Sequence, residues 1–390
     1  MRTKHTAHSL PSFPIYSSAF VSANELILGG GGGQSRSGIK NKLRLYRVES
    51  DTVLELVDEL ELDKGEDAPM SMAGYPETKQ LVCGVNSSAE ALKTGENQNC
   101  RRFIVRDGNT LKFDAVEDDF QKVTVLSPDG GLLAAAGNKD LALLRFPSLD
   151  PVAIPIHLDK GEIYDATFSA DTLVICTTVS LLVYSLPQQT TDGTTEKKAG
   201  KQKEVALPKL DLVKTVDRPT LPGQDGGSSF RSARYHPLDS KVLYTVVNAV
   251  PPRNRTKNSP RRAFVCKWNT EKWEVAKLRK VGDRGLTCFD VSANGKFLAF
   301  GSSDYTVGIL DSQTLAPLLT ILKAHEFPPT TLRFNPASNL LMSGSADNTV
   351  RIVTIPDHLA GASWSSWIIV IVTLLVILFA IIAQQMHQAF

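Results

Sequence analysis

A recurring pattern in the first 356 residues constrains the fold most strongly. Short apolar runs alternate with turn residues, and no long helical period interrupts them. Seven sites share an apolar run, a polar turn and a second apolar run, and the turns are marked by Ser22, Tyr75, Ser127, Ser169, His236, Ser292 and Asn335. The intervals between these turns run from 42 to 67 residues, and a four-stranded propeller blade takes about 40–45. The pattern therefore predicts an all-β, seven-bladed β-propeller.

The long intervals and the last repeat add detail to this prediction. Polar insertions at 86–99, 187–203 and 251–262 lengthen three intervals, and a run of glycines lengthens the first. The last two repeats are most like WD repeats, with a histidine at His325 in a structural position. The seventh repeat ends at Ile355 after three strands, and an open propeller would leave unpaired strand edges. We therefore expect residues 5–10 to supply the missing fourth strand.

The C-terminal region has a different character. Residues 364–383 are apolar and uncharged, and a helix of that length spans about 30 Å, the thickness of a bilayer core. The N-terminus has no signal-peptide pattern. We therefore expect a cytosolic seven-bladed WD-type propeller over 1–356, a linker over 357–363, one C-terminal transmembrane helix over 364–383 and a short lumenal tail over 384–390.

Composition and motifs argue against several classes of function. The net charge is +2, which gives no support to nucleic-acid binding. The five cysteines form no CxxC pair, which indicates free thiols in a reducing compartment and no zinc site. The chain also lacks a phosphate-binding P-loop, a dinucleotide fingerprint, HExxH and GxSxG. These observations predict a protein that performs no covalent chemistry, and propeller repeats commonly serve as binding platforms.

The glycine run at 29–33 is the most unusual local feature. Consecutive glycines let carbonyl groups converge on a hard cation or let amide groups converge on an anion. The residues that follow include Arg36, Lys40 and Lys42, which make the segment cationic. Composition alone leaves three alternatives open: a cation site, an anion site, or a loose loop without a ligand.

A propeller, a C-terminal apolar span and the first-blade sequence GGGGGQSRSGIKNKL together resemble one family. It contains the endoplasmic-reticulum membrane exchange factors for the Sar-type small GTPase, whose animal members are called prolactin regulatory element-binding protein. The resemblance implies that a potassium ion, bound by main-chain carbonyls and polar side chains, makes the glycine segment a rigid finger. The implied potassium ligands are Gly30, Gly31, Gly32, Gly33 and Asn41. The implied catalytic residues are Ile39, Asn41 and Gly38, and the implied partner contacts are Ser35, Arg36, Ser37 and Lys40. Ile39 is expected to be an exposed apolar residue near the finger tip.

The function implied by this resemblance is guanine-nucleotide exchange. The chain would promote GDP release and GTP loading on a Sar-type small GTPase at the endoplasmic reticulum membrane and so initiate COPII coat assembly. Other coat-assembly proteins are further expected partners, and nucleic acid is not. A membrane-tethered WD-repeat adaptor without exchange activity is the alternative. A nuclear DNA-binding regulator and a hydrolase in the propeller channel are less consistent with the near-neutral charge and the missing acid–base set.

Overall fold

The computed structural model describes residues 3–35, 37–49, 53–94, 97–105, 110–111, 121–187, 207–223, 227–250, 261–356, 359 and 370–380. The chain divides into two compact units, Met1–Ile355 and Pro356–Phe390. Arg36 and most of the insertions at 187–203 and 251–262 lie outside the described residues.

The first unit is built from four-stranded antiparallel sheets, and the described residues contain seven of them. The chain starts with β1 (His5–Ser9). Blades one to three consist of β2 (Ile15–Phe20), β3 (Glu25–Gly30), β4 (Lys42–Glu49) and β5 (Val53–Glu61); β6 (Ser71–Tyr75), β7 (Gln80–Gly84), β8 (Cys100–Ile104) and β9 (Thr110–Leu111); and β10 (Val123–Leu126), β11 (Leu132–Ala136), β12 (Asp140–Arg145) and β13 (Ile156–His157).

The remaining blades follow the same order along the chain. Blades four to six consist of β14 (Ile163–Phe168), β15 (Thr172–Thr177), β16 (Ser180–Ser185) and β17 (Leu212–Asp217); β18 (Ser228–His236), β19 (Asp239–Ala249), β20 (Ala263–Asn269) and β21 (Glu274–Gly282); and β22 (Leu286–Val291), β23 (Phe297–Ser302), β24 (Val307–Asp311) and β25 (Pro317–Ile321). Blade seven consists of β26 (Pro329–Phe334), β27 (Leu340–Ser345), β28 (Thr349–Thr354) and β1. A 3-10 helix (Pro76–Thr78) and α1 (Ala89–Lys93) interrupt blade two.

The first strand of each blade is innermost, and these strands form a closed ring. β2 contacts β6, and contacts continue through β10, β14, β18 and β22 to β26, which contacts β2 again. Hydroxyl pairs connect neighbouring blades, including Ser18 Oγ with Thr331 Oγ1 at 2.6 Å and Ser71 Oγ with Thr124 Oγ1 at 2.6 Å. The predicted seven-bladed propeller is confirmed.

The ring closes through the N-terminal strand, as predicted. β1 pairs antiparallel with β28, from His5 opposite Val353 to Ser9 opposite Thr349. This pairing fills the outer edge of blade seven, which would otherwise expose unpaired N–H and C=O groups. The first and last strands of the chain are thereby joined by a ladder of main-chain hydrogen bonds.

The repeated turns have a common physical cause. All seven marker residues lie at the turn between the first and second strands of a blade. In four of them a serine hydroxyl accepts a hydrogen bond from a main-chain N–H, at Glu25, Leu132, Thr172 and Phe297 for Ser22, Ser127, Ser169 and Ser292. Such hydroxyl groups stabilise the reversal of the chain, which explains why the turn was visible in the sequence where the blades otherwise diverge.

Apolar side chains fill the spaces between blades. Phe230, Leu243 and Trp268 of blade five pack with Val174 and Leu181 of blade four, and all five are buried. Each such side chain contributes about 1.5–3 kcal/mol when fully buried. The Trp268 indole also donates to Thr245 Oγ1 at 2.9 Å, so its polar group is satisfied within the packed interior.

The seventh blade contains a buried histidine network. Thr349 donates its hydroxyl to Asp347 at 2.6 Å, so its oxygen accepts from His325 Nδ1 at 2.7 Å. His325 Nε2 then accepts from the Ser343 hydroxyl at 2.8 Å. The structural role predicted for His325 agrees with this arrangement, in which a neutral imidazole links two strands to the loop before β26.

We expect this network to make stability depend on pH. Burial lowers the pKa of His325 to about 4, against the opposing effect of the Asp347 carboxylate. In the unfolded chain the imidazole binds a proton near pH 6.5, so between these values the unfolded state carries the extra proton. The stabilisation is complete above pH 6.5 and is lost as pH falls toward 4. The thermal midpoint should therefore fall between pH 7 and pH 5, and less steeply in His325→Gln. An identical pH dependence in both proteins would contradict the assignment.

The second unit is described over a short stretch. Residues 370–380 are helical and their side chains are exposed. The rest of the predicted span 364–383 lies outside the described residues. Within the part of the chain that the structure describes, no helix is both long and apolar enough to cross a membrane.

Candidate functional site

The glycine loop, defined as residues 31–41, connects β3 to β4 in blade one. The first two glycines of the run precede it and belong to the sheet, because Gly29 lies opposite Ser17 and Gly30 opposite Ile15. A Cβ atom on Gly29 would lie 2.7 Å from Pro69 Cβ, and one on Gly30 would overlap the Pro14 carbonyl oxygen. These two glycines therefore allow close packing of the strand and do not form the loop itself.

Four neutral oxygen atoms approach Gly31 and Gly32 closely, and we call this set of oxygen atoms the cradle. Gly31 has a φ of +139°, a conformation that side chains disfavour. A Cβ atom there would overlap Asn41 Oδ1 and lie 2.6 Å from the Lys40 carbonyl oxygen. One on Gly32 would overlap Ser37 Oγ and lie 2.9 Å from the Ile39 carbonyl oxygen. The absence of side chains thus lets four neutral oxygen atoms approach the main chain of these two glycines.

Asn41 closes the loop at its base. Its Oδ1 accepts from the Gly33 N–H at 2.8 Å, and its Nδ2 donates to the Gly33 carbonyl at 3.1 Å and to the Glu66 carbonyl at 2.7 Å. The residue is 9% exposed. Each buried hydrogen bond contributes about 1 kcal/mol, and an orphaned partner costs about 1–3. Asn41 therefore acts as a clamp that holds both ends of the loop together.

The clamp itself rests on a buried ion pair. Arg101 on β8 donates to both carboxylate oxygens of Glu66, at 2.9 and 2.6 Å. The two side chains are 2% and 9% exposed. Glu66 also accepts from the Asp63 N–H at 3.0 Å. This two-pronged geometry fixes the segment whose main-chain carbonyl accepts from Asn41.

The insertion predicted at 86–99 completes the support. The Asn86 carbonyl accepts from the Asp67 N–H at 3.0 Å, and the Gln98 carbonyl accepts from Arg101 Nε at 2.8 Å. Ser87 links the two ends of the insertion, since its hydroxyl accepts from the Gln98 N–H at 2.9 Å. This role could not be predicted from the sequence, because a solvated polar insertion and a packed one have the same composition.

The tip of the loop carries Ser35 and Ser37, which were predicted to contact a partner, and Gly38, which was predicted to be catalytic. Ser35, Ser37 and Gly38 are exposed, and the Ser35 hydroxyl donates to the Gly32 carbonyl. Gly38 has a φ of +77°, and nothing lies within 4 Å of the position its Cβ would occupy. Lys40 is exposed and pairs with Glu61 at 2.7 Å, so part of the cationic character of the segment is already offset in the free protein.

Ile39 differs from expectation. The sequence predicted an exposed apolar side chain near the tip, but Ile39 is partly buried. Its Cβ lies 3.1 Å from the position that a Cβ on Gly32 would occupy. The reason is that the loop folds back on itself, so that the missing side chain of Gly32 leaves room for Ile39.

The oxygen cradle fits a hard monovalent cation in its chemistry. Such ions bind neutral oxygen atoms, and main-chain carbonyls supply these atoms in potassium-selective sites. The cradle offers the Ile39 and Lys40 carbonyls, Ser37 Oγ and Asn41 Oδ1, all neutral. Among the described residues, no group of three or more His, Cys, Asp or Glu side chains could hold a metal ion. Of the glycines predicted as ligands, Gly31 and Gly32 lie at the cradle, Gly33 is bonded to Asn41, and Gly30 is in a strand.

Comparison with known proteins gives a family-level result. The WD domain, G-beta repeat family matches residues 316–353. The guanine nucleotide-exchange factor SEC12 of Candida glabrata is 24% identical, over 98% of this chain and 80% of that protein. The putative guanine nucleotide-exchange factor SED4 of the same organism is 24% identical over 91% of this chain, which spans only 32% of that longer protein. The SEC12 exchange factor of Mus musculus is 22% identical, over 90% of this chain and 91% of that protein. The predicted resemblance to WD-repeat exchange factors is therefore confirmed.

Proposed function

We propose that this chain, a WD-repeat protein of the SEC12 family, promotes GDP release and GTP loading on a Sar-type small GTPase. The observation that carries the proposal is the glycine loop, which projects from blade one on a buried clamp. Similarity to SEC12 exchange factors over most of the chain supports the same function. Loading the GTPase at the endoplasmic reticulum membrane would initiate COPII coat assembly, and other coat-assembly proteins would follow as partners.

Exchange requires no covalent step. A factor that binds the nucleotide-free GTPase more tightly than the loaded form weakens nucleotide affinity by the same ratio. Ordering a loop residue costs about 1–2 kcal/mol of backbone entropy. The bonds from Asn41 to Gly33 and Glu66 hold the loop before the partner arrives, so binding energy can act on the GTPase.

We assign different roles in nucleotide exchange to different residues of the loop. Ser35, Ser37 and Gly38 form the exposed tip, and Arg36 lies between them in sequence. Ile39 lies behind the tip with part of its side chain accessible. We assign the polar residues to contacts with the GTPase surface, and Ile39 to an apolar contact that opposes rebinding of the nucleotide.

The cradle would hold a potassium ion through the Ile39 and Lys40 carbonyls, Ser37 Oγ and Asn41 Oδ1. When bound, the ion would supply the positive charge that lets carbonyl dipoles converge. The chain's own groups do the positioning, because the missing side chains of Gly31 and Gly32 leave the space and Asn41 fixes the base.

Residues 364–383 would anchor the chain in the endoplasmic reticulum membrane as a single span, with the propeller on the cytosolic side. The apolar, uncharged sequence of this segment supports the anchor. An anchored exchange factor would generate loaded GTPase close to the bilayer on which the coat assembles.

The central test is nucleotide release from a purified Sar-type GTPase with and without the compact unit Met1–Ile355, which contains its own closing strand. We expect faster GDP release with the unit present. Binding without faster release would favour the adaptor alternative. The GTPase's spontaneous release rate in each buffer serves as the baseline.

Replacing potassium by lithium at equal ionic strength should lower the stimulated release rate. Lithium is smaller and more strongly hydrated, so it cannot contact all the cradle oxygens at once. The thermal midpoint of the propeller should also be higher in potassium, because a ligand that binds only the folded state stabilises it. Equal rates and equal midpoints in the two salts would remove the ion from the proposal and leave the loop.

A further inference from the structure

The central channel of the propeller opens on the same face as the glycine loop. Ile15, near the start of the innermost strand β2, lies opposite Gly30 at the end of β3, so the loop leaves the sheet at the end where β2 begins. Tyr16 follows Ile15 and lines a channel mouth of about 390 Å³. We call this cavity the channel mouth. Its lining includes Lys122, Tyr164 and Arg231.

Two cations flank one aromatic ring at the channel mouth. Lys122 Nζ lies 5.0 Å from the centroid of the Tyr164 ring, and Arg231 Cζ lies 4.7 Å from it. Arg231 Nη2 also donates to the Thr287 carbonyl at 3.0 Å. These contacts hold the Arg231 guanidinium in a fixed position without neutralising its charge.

Two acidic residues on the innermost strands, Asp165 and Asp290, are engaged by other arginines. Asp165 accepts from Arg234 at 2.5 Å, and Asp290 lies 3.9 Å from Arg333. Among the described residues, no carboxylate forms an ion pair with Arg231, which is partly buried. Lys122 is less isolated, because it donates to Asn138 at 2.6 Å and lies 3.9 Å from the exposed Glu162.

A partly buried guanidinium without a carboxylate favours an anionic ligand, because a charge shielded from water is stabilised by an opposite charge. A carboxylate fits this mouth better than a phosphate does. Phosphate sites commonly use converging main-chain amides, whereas the rim here includes Pro328 and Pro329, which have no N–H. The mouth instead presents the Arg231 guanidinium beside the Tyr164 ring, with the Lys122 ammonium on the same ring.

Tyr16 and Asp67 connect the mouth to the glycine loop. Burial, with the Asp67 carboxylate, raises the pKa of Tyr16, and Asp67 Oδ1 lies 3.0 Å from the position of a Cβ on Gly33. A protein that docks on the loop faces the end of the propeller at which the mouth opens. We propose that the channel mouth receives an acidic side chain of the same GTPase that the loop engages, through Arg231 and Lys122. This inference rests on the proposed function and extends its contact surface.

The test uses the complete chain and the dependence of nucleotide release on GTPase concentration. In Arg231→Gln/Lys122→Gln we expect the KM for the GTPase to rise about tenfold, as the loss of a buried charge pair commonly costs this much or more. The increase should appear in KM and not in kcat, and it should shrink at high ionic strength. Arg231→Lys, which keeps the charge, should retain most of the affinity.

Lys296→Gln is the matched control, because Lys296 is an exposed cation in the β22–β23 turn, where strands of the ring end at the opposite face. Its KM should equal that of the unaltered chain. An unchanged KM in the folded double variant, checked by thermal melting, would overturn the mouth proposal alone. Absence of stimulated release by the unaltered chain would remove the proposed function and this inference with it. Competition by inorganic phosphate that requires Arg231 would show a phosphate site and contradict the carboxylate assignment.

Discussion

Asn41→Ala is expected to reduce stimulated nucleotide release at least about tenfold, which corresponds to about 1.4 kcal/mol. The variant loses the three hydrogen bonds that join the loop base to Gly33 and Glu66. It also removes one of the four cradle oxygens. A loop without its clamp samples more conformations. The entropic cost of ordering the loop then reduces the free energy of binding to the GTPase.

Ile39→Ala tests the contact surface of the loop independently of the hydrogen bonds that support the loop. We expect a similar loss of release, because the apolar contact with the GTPase is removed while the bonds of Asn41 remain. Ile39 is partly buried against Gly32, so the free energy of unfolding should fall by about 1 kcal/mol. The thermal midpoint should therefore be slightly lower. Asn41→Ala should lower it more.

Asn294→Ala is the control for both. Asn294 also bonds the main chain of a turn, accepting from the Lys296 N–H at 3.0 Å, but it lies in blade six and away from the loop. Its stability should fall while release stays normal. Normal release from both folded loop variants would defeat the finger model and favour the adaptor alternative. Normal release from Ile39→Ala alone would transfer the contact to Arg36 or Lys40.

The fold could be predicted from the sequence because the turn contacts within a blade are local and the blade is repeated seven times along the described residues. Each turn marker acts on residues a few positions away, as Ser292 does on Phe297, so the signal survives divergence elsewhere. Ring closure was also predictable, because three strands in the last repeat leave an unpaired edge that an N-terminal segment can fill. β1 opposite β28 confirms that argument.

The support of the glycine loop was not accessible in the same way. Asn41 could be singled out as closing the loop, but its partner Glu66 is 25 positions further along, and Arg101 belongs to another blade. Arg101 and Arg102 are adjacent on β8, where successive side chains point to opposite faces. Only the packing of blades one and two decides that Arg101 is the buried one. Ile39 was misjudged for a related reason, since its burial depends on how the loop folds back onto Gly32.

Arg101→Met is expected to lower the free energy of unfolding by about 3–5 kcal/mol, the cost of leaving one member of a buried ion pair without its partner. The Glu66 side chain is only 9% exposed, so water cannot replace the two bonds from the guanidinium. Urea unfolding of the propeller measures the change. Arg102→Met is the matched control, because Arg102 donates to the Pro147 carbonyl at 2.6 Å and is less buried; its cost should stay below about 1.5 kcal/mol.

The double variant Arg101→Met/Glu66→Gln distinguishes the ion pair from simple packing. Glutamine removes the orphaned charge and keeps an oxygen that can accept from the Asp63 N–H, so we expect it to recover at least about 1 kcal/mol of the loss. Additive losses would mean that Arg101 contributes through its packing and not through Glu66. In the folded Arg101→Met protein, stimulated release should also fall, because the segment that holds Asn41 is released although no residue of the loop has changed. Normal release in that protein would show that the clamp of Asn41 on Gly33 alone keeps the loop in its active shape.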